Sequence, residues 1–121
     1  MPLTIKTAER PIGVFIVSPT GPIDSASYSQ LEKQVDSLLE VSPRMLIFDF
    51  GGVDFISSMG VRVVLKAKKS LARSGGEVRL INLRPPVEKV FEIIAALPSQ
   101  AIFTSHEELE KYLAEMQRED K

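Results

Sequence analysis

Two adjacent serines, Ser57 and Ser58, lie at a predicted strand-to-helix junction, where a hydroxyl could carry a phosphate. Ser57 and Ser58 follow a strand-like apolar run over 45–50 and immediately precede a helical pattern. The N–H groups of a first helical turn lack partners within the helix, and the helix dipole makes that end partly positive, so a phosphate on a serine there would be stabilised. One of the two serines is alternatively expected to act only as the helix N-cap. The pair is therefore a candidate phosphorylation site, and the structural alternative is that one of the two serines only caps the helix.

The rest of the sequence offers little for catalysis or metal binding. There is no cysteine, and the only histidine, His106, stands beside two glutamates at the start of a predicted helix, which favours a solvated surface residue over a general base. Asp49 and Asp54 lack the neighbouring ligands that a metal requires. Gly51 and Gly52 are not followed by the Lys-Ser/Thr of a phosphate-binding loop, so they are interpreted as turn residues. We expect no enzyme, no cofactor and no metal.

Length and charge indicate a single domain that recognises partners through local surfaces. The 121 residues fit one domain, predicted over residues 1–121 with a frayed tail at 117–121. Fifteen basic and 16 acidic residues leave a net charge of −1, which provides no general attraction to nucleic acid or to an anionic membrane. No apolar run approaches the length of a membrane span, and no secretory leader is recognised. We expect a cytoplasmic protein without nucleic-acid binding or membrane insertion.

Hydrophobic periodicity predicts strands that alternate with helices. Strands are expected over 3–7, 12–17, 45–50, 77–82 and 101–104, and helices near 26–40, 58–73, 86–95 and 106–117. The first two strands are expected to form a hairpin. Capping boxes are expected at 27–30 and 105–108, and Gly75-Gly76 is expected to end the second helix. The fold class is therefore α/β, with a mixed sheet of four to five strands and about four helices.

The same patterns predict the hydrophobic core. The run over 45–50 has few polar residues, so it is expected to be a central strand covered on both faces. The residues expected to be mostly buried are Leu46, Ile47, Phe48, Val61, Val64, Leu65, Leu80, Val90 and Phe91. If Leu65 lies in the core, Leu65→Ala should cost about 2–5 kcal/mol.

An ordered set of segments carries a resemblance to a known family. The segments are Gly21-Pro-Ile-Asp24, Asp49-Phe50, Val53-Asp-Phe-Ile-Ser-Ser-Met-Gly60 with Val61-Arg-Val-Val-Leu65 behind it, Gly75-Gly-Glu-Val-Arg-Leu80, Val87-Glu-Lys-Val-Phe-Glu-Ile93 and Ile102-Phe103. In this order and spacing, the chain resembles the STAS domain over nearly its whole length. It is particularly similar to the stand-alone anti-sigma factor antagonists of bacteria.

The resemblance implies a phosphoacceptor. The usual pattern of the family at this junction is Asp-Ser-Ser/Thr-Gly-Leu, in which the serine directly after the Asp is phosphorylated. Alignment on Gly60 places Ser58 on that serine, Ser57 on the Asp and Met59 on the Ser/Thr. Ser58 is therefore the expected phosphoacceptor, with Ser57 as second choice.

The resemblance also implies partners and a switch. The unphosphorylated domain would bind an anti-sigma factor that has serine kinase activity, phosphorylation would release it, and a metal-dependent serine phosphatase would reset the domain. The partner-binding residues expected on this basis are Asp24, Ser57, Ser58, Met59, Gly60, Arg62 and Lys66. Loops at one end of a sheet cluster together, which would bring these segments onto one face.

Two other function classes stay open from the sequence. Ser57 and Met59 replace a carboxylate and a hydroxyl of the family pattern, which is what a STAS domain that is never phosphorylated could look like. Such a domain would serve as a constitutive adaptor, for example an accessory subunit of a transporter or a signalling scaffold. An enzyme is disfavoured by the single histidine.

Overall fold

A computed structural model describes residues 2–10 and 12–96, with side chains as far as Glu92. Its elements in chain order are strand β1 (Thr4–Glu9), strand β2 (Val14–Thr20), helix α1 (Tyr28–Leu39), strand β3 (Met45–Asp49), helix α2 (Ser58–Arg73), strand β4 (Glu77–Ile81) and helix α3 (Pro85–Ala96). The predicted α/β class with a mixed sheet is confirmed. The strand predicted over 101–104, the helix predicted over 106–117, His106 and the tail all lie outside the described residues.

The four strands form one sheet in the order β1-β2-β3-β4. The β1 and β2 strands are antiparallel and form the predicted hairpin, whereas β2, β3 and β4 are mutually parallel. The register places Val17, Phe48 and Leu80 side by side across the parallel strands. The carboxyl ends of β3 and β4 therefore meet at one edge, and the connection that carries the two serines leaves from that edge.

All four strands differ from their predicted bounds by one to three residues, and two of these differences have a clear physical reason. The β2 strand continues three residues beyond Val17. Its pairing with β3 stops at Val17 and Phe48, but its pairing with β1 extends to Thr4 and Thr20 and keeps this end in the sheet. The β4 strand ends one residue early because Asn82 has a φ of 57°. This left-handed conformation is incompatible with a continued strand.

The expectation that the 45–50 run is covered on both faces is wrong for the described part of the chain. Burial alternates along β3, with Leu46 and Phe48 fully buried and Met45 and Ile47 half-buried. Phe50, just after the strand, is also fully buried. One face of β3 therefore carries the core, and the other is partly accessible.

The start of α1 does not have the predicted capping box. Ser27 is the N-cap residue, but its hydroxyl accepts a hydrogen bond from the Asp24 N–H at 2.9 Å and donates to the Pro22 carbonyl at 2.8 Å. Gln30 uses its amide to donate to the Leu3 carbonyl at 3.1 Å. Both side chains thus hold neighbouring segments against the helix, and the helix begins two residues later than predicted.

Helix α2 packs its apolar side on the sheet but leaves Leu65 outside. Val61 and Val64 are buried as predicted, and Leu71 is buried as well, whereas Leu65 is 43% exposed. Leu65 is two residues before the fully buried Ala67, which places it about 160° away around a helix that turns about 100° per residue. The prediction of a buried Leu65 is therefore wrong. Ile47, Leu80 and Phe91 are half-buried.

The C-terminus of α2 confirms the predicted glycine cap. Gly75 has a φ of 82°, and the Gly76 N–H donates to the Leu71 carbonyl at 2.8 Å. This is the hydrogen bond of a helix that ends on a left-handed glycine. None of the helices in the described ranges is long and apolar enough to cross a membrane.

The different exposure of Leu71 and Leu65 predicts how much each side chain contributes to the free energy of unfolding. Leu71→Ala removes a side chain that is 1% exposed and should lower the free energy of unfolding by about 2–5 kcal/mol. Leu65→Ala is the matched control in the same helix and should cost about 1 kcal/mol or less, since much of the side chain is already in water. Urea unfolding of both variants measures the difference. Equal losses would contradict this assignment of the core.

Candidate functional site

The segment that precedes α2 is held in place by the loop between β2 and α1. Ile23 and Ile56 form an isolated parallel bridge. The Ile23 N–H donates to the Phe55 carbonyl at 3.0 Å, and the Ser57 N–H donates to the Ile23 carbonyl at 2.7 Å. Both isoleucine side chains are fully buried. We call this pairing the Ile23–Ile56 clamp, and it positions the first turn of α2.

The clamp also explains why a glycine follows the serines. A Cβ atom on Gly60 would lie 2.6 Å from Ile23 Cγ2 and 2.7 Å from Ile56 Cγ1, both well inside van der Waals contact. The helix approaches the clamp so closely that only a residue without a side chain fits. Gly60, assigned from the sequence to the partner-binding set, thus has a packing role.

The two serines have different structural positions. Ser57 is the N-cap of α2, with extended backbone, and its side-chain oxygen accepts from the Gly60 N–H at 3.3 Å. Ser58 is the first residue of the helix. The structural alternative considered for the pair therefore applies to Ser57, and the hydroxyl of Ser58 is not the cap.

Both serines are buried. Ser57 is 1% exposed and Ser58 is fully buried. A buried hydroxyl cannot enter the active site of a kinase, so modification of Ser58 requires the junction to open locally. Met59, the next residue, is half-buried.

Asp24 belongs to the loop that forms the clamp, but its carboxylate is directed to the start of α1. Its Oδ1 accepts hydrogen bonds from the N–H groups of Ala26 and Ser27, each at 2.9 Å. It also lies 3.0 Å from the Ser27 hydroxyl, whose single proton it shares with the Pro22 carbonyl. The hydroxyl of Ser27, together with the N–H groups, stabilises the charged form and holds the pKa of Asp24 below its usual value. Asp24 thus shapes the loop.

Side chains at the carboxyl ends of β3 and β4 secure the other side of the junction. Asp49 Oδ1 accepts from the Gly51 N–H at 3.0 Å and from Asn82 Nδ2 at 3.1 Å. Arg84 Nε donates to the Gly51 carbonyl at 2.9 Å. The turn after β3 is therefore bonded to the connection after β4, which leaves Asp49 a structural role. The described residues contain no group of three side chains suited to hold a metal ion.

Arg62 and Lys66 follow the serines on α2, and both are exposed. Lys66 Nζ lies 3.3 Å from Asp36 Oδ1 and 3.6 Å from Glu32 Oε2 of α1. The hydrogen bond and the charge of Asp36, with a smaller contribution from Glu32, raise the pKa of Lys66. Lys66 therefore bridges α1 and α2, so part of its charge is already compensated within the domain.

The two clamp isoleucines were not predicted from the sequence as part of the site. Their segments were expected at one end of the sheet, but the pairing of Ile23 with Ile56 was not. The alternation of Ile23 with the turn residues before it is too short to indicate a bridge. Asn82 and Arg84 were also missed, since a hydrogen bond across 33 residues has no local signal.

The clamp predicts that Gly60 resists substitution. In an unobstructed helix, Gly→Ala would stabilise by about 1 kcal/mol. Here the added methyl group overlaps Ile23 and Ile56, so Gly60→Ala should instead lower the free energy of unfolding by about 1–3 kcal/mol. In an Ile23→Ala background, which removes one of the two overlaps, the same change should cost less. Urea unfolding of the four proteins of this cycle measures the coupling, and a stabilising Gly60→Ala would contradict the packing.

Comparison with known proteins agrees with the resemblance inferred from the sequence. The STAS domain model matches residues 6–109. BtrV of Bordetella bronchiseptica, described as a candidate anti-sigma factor antagonist, is 36% identical over 101 residues, which are 84% of this chain and 87% of BtrV.

Solved structures share the fold. The anti-sigma factor antagonist SpoIIAA in its unphosphorylated form has a TM-score of 0.70 at 20% identity and covers 92% of this chain and 97% of its own. The phosphorylated form of SpoIIAA from Bacillus has a TM-score of 0.65 at 21% identity and covers 75% of this chain and 83% of its own. The match to the STAS domain model and the identity to BtrV show that the chain belongs to the STAS-domain family, within its anti-sigma factor antagonists, a non-enzymatic family.

Proposed function

We propose that this protein is a phosphorylation-controlled antagonist of an anti-sigma factor with serine kinase activity. In this proposal the unmodified domain binds the kinase in the cytoplasm, phosphorylation of Ser58 releases it, and a metal-dependent serine phosphatase restores the binding form. The observation that carries the proposal is the division of roles at the start of α2. Ser57 caps the helix, so Ser58 is the serine whose modification leaves the cap in place.

The relatives support a switch of this kind. SpoIIAA is known in a phosphorylated and an unphosphorylated form, and the 36% identity to BtrV covers most of both chains. A phosphate at the N-terminus of a helix meets N–H groups that have no partner within the helix, as well as the positive end of the dipole. The start of α2 contains no acidic residue that would oppose it.

The burial of Ser58 adds a conformational step to the proposal. A phosphate brings roughly −1.5 to −2 charges at pH 7, and a group of that charge and size cannot stay in a fully buried site. The packing around the Ser58 side chain must therefore open when Ser58 is modified, while Ser57 still caps the helix. The Ile23–Ile56 clamp, which is held by backbone hydrogen bonds and two buried side chains, is able to keep the rest of the domain folded.

The docking face proposed here surrounds the junction. It comprises Asp24, the stretch from Ser57 to Gly60, Arg62 and Lys66. Asp24 and Gly60 act in it through loop shape and close packing, whereas Met59 and Arg62 offer side chains to a partner. Lys66 contributes less charge, because Asp36 and Glu32 compensate it.

A domain that is never phosphorylated is the alternative outcome. The replacement of the usual Asp by Ser57 and of the usual Ser/Thr by Met59 favours it. Such a domain would bind its partner constitutively as an adaptor or accessory subunit. The experiment below separates the two functions.

We expect the phosphate on Ser58. The purified protein is incubated with ATP and the serine-kinase anti-sigma factor encoded in the same genome, and the product is examined by intact mass and site mapping. Wild type and Ser57→Ala should each gain one phosphate on Ser58, whereas Ser58→Ala should gain none. Phosphate on Ser57 would contradict the assignment, and no phosphate after prolonged exposure would favour the constitutive adaptor.

Charge on the docking face should govern association. Arg62→Glu should slow binding to the same anti-sigma factor and make the association rate less dependent on salt, because Arg62 is exposed and cationic. Its thermal stability should change little. Lys66→Glu, the comparison, should affect association less, because Asp36 and Glu32 already compensate the charge of Lys66. It should also lower stability, because the new carboxylate opposes both acidic side chains. Stopped-flow binding at several salt concentrations measures both, and equal rates for wild type and Arg62→Glu would exclude this face.

A further inference from the structure

Leu65 is an exposed apolar side chain on the helix that begins with the switch serine. It is 43% exposed. It follows Ser58 by seven residues and Arg62 by three, and it precedes Lys69 by four. Residues at these spacings share one side of a helix. We call Ser58, Arg62, Leu65 and Lys69 the switch stripe. Arg62, Leu65 and Lys69 are exposed, on the side of α2 opposite the core, whereas Ser58 at the start of the stripe is buried.

The charge of α2 sets this stripe apart from the rest of the protein. Helix α2 contains five cations and no carboxylate, although the whole chain has a net charge of −1. Arg62 and Lys69, two of these cations, flank Leu65 along the stripe itself. The stripe therefore has an apolar centre between two positive charges.

The geometry points to Leu65 as the apolar anchor of the docking surface, and to a partner face that has an apolar pocket with an acidic rim. This inference rests on the proposed function, in which the partner is the serine-kinase anti-sigma factor. Binding energy in interfaces is concentrated in a few large side chains near the centre, and a polar rim surrounds them. An acidic rim is the complement of Arg62 and Lys69.

Exposure alone does not distinguish Leu65, since isolated exposed apolar residues are common. Among the described residues, Ile12, Val41 and Ile81 are also exposed. None of these three belongs to α2. Leu65 differs because it shares the stripe with Ser58, which lies about 10 Å away along the helix axis, at about 1.5 Å per residue.

This spacing links the anchor to the switch. A partner seated on Leu65 lies about 10 Å from Ser58 along the helix axis. This is only slightly more than the Debye length of about 8 Å at physiological salt, so a charge on Ser58 is screened there but still felt. A phosphate of roughly −1.5 to −2 charges would offset most of the positive charge of Arg62 and Lys69 and would face the acidic rim directly. Phosphorylation thus converts a complementary surface into a repulsive one without altering Leu65.

The test compares two alanine variants of similarly exposed residues. The probe is the purified serine-kinase anti-sigma factor of the same genome, without ATP so that Ser58 stays unmodified. Leu65→Ala should raise the dissociation constant about tenfold or more, chiefly through faster dissociation. Ile81→Ala, at 40% exposure on β4, is the matched control and should bind like wild type. Thermal melting should show both variants folded.

The outcomes separate this inference from the proposed function. If wild type binds the anti-sigma factor and Leu65→Ala binds equally well, or if Ile81→Ala loses as much affinity, Leu65 is not the anchor although the proposed function stands. If wild type does not bind the anti-sigma factor, both are overturned.

Discussion

The whole site depends on one short pairing of backbone segments. The Ile23–Ile56 clamp joins the loop before α1 to the segment before α2 through two hydrogen bonds of 3.0 and 2.7 Å. It fixes the N-cap serine, and it brings α2 so near that Gly60 has no room for a methyl group. Since parallel strands end at the same edge of the sheet, a loop from the end of β2 can reach the end of β3 and make this pairing.

The clamp also bears on how the proposed phosphorylation switch would work. The Ser57 hydroxyl oxygen accepts a hydrogen bond from the Gly60 N–H in the first turn of α2. Ser58, the next residue, is fully buried and is not the N-cap. Adding charge to a buried side chain would require local rearrangement, and the backbone hydrogen bonds of the clamp offer a way to hold the rest of the domain together. The proposed switch would then present two surfaces on one fold.

Much of this fold could be predicted from the sequence, because its signals are local. The alternation of strands and helices, the glycine stop at Gly75 and an N-cap among the two serines all follow from short patterns. Contacts between distant segments could not be predicted. Gln30 fits a capping box but bonds to Leu3 instead. Leu65 follows Val64 in an apolar run, and only the observed orientation of α2 places it in solvent.

The central claim is that phosphorylation of Ser58 releases an anti-sigma factor without unfolding the domain. The most direct measurement is calorimetric titration of that anti-sigma factor with unmodified protein and with protein phosphorylated on Ser58, alongside thermal melting of both forms. The account predicts affinity weaker by about tenfold or more after phosphorylation, with a cooperative melt retained. Equal affinity of the two forms, or loss of the cooperative melt in the phosphorylated protein, would contradict it.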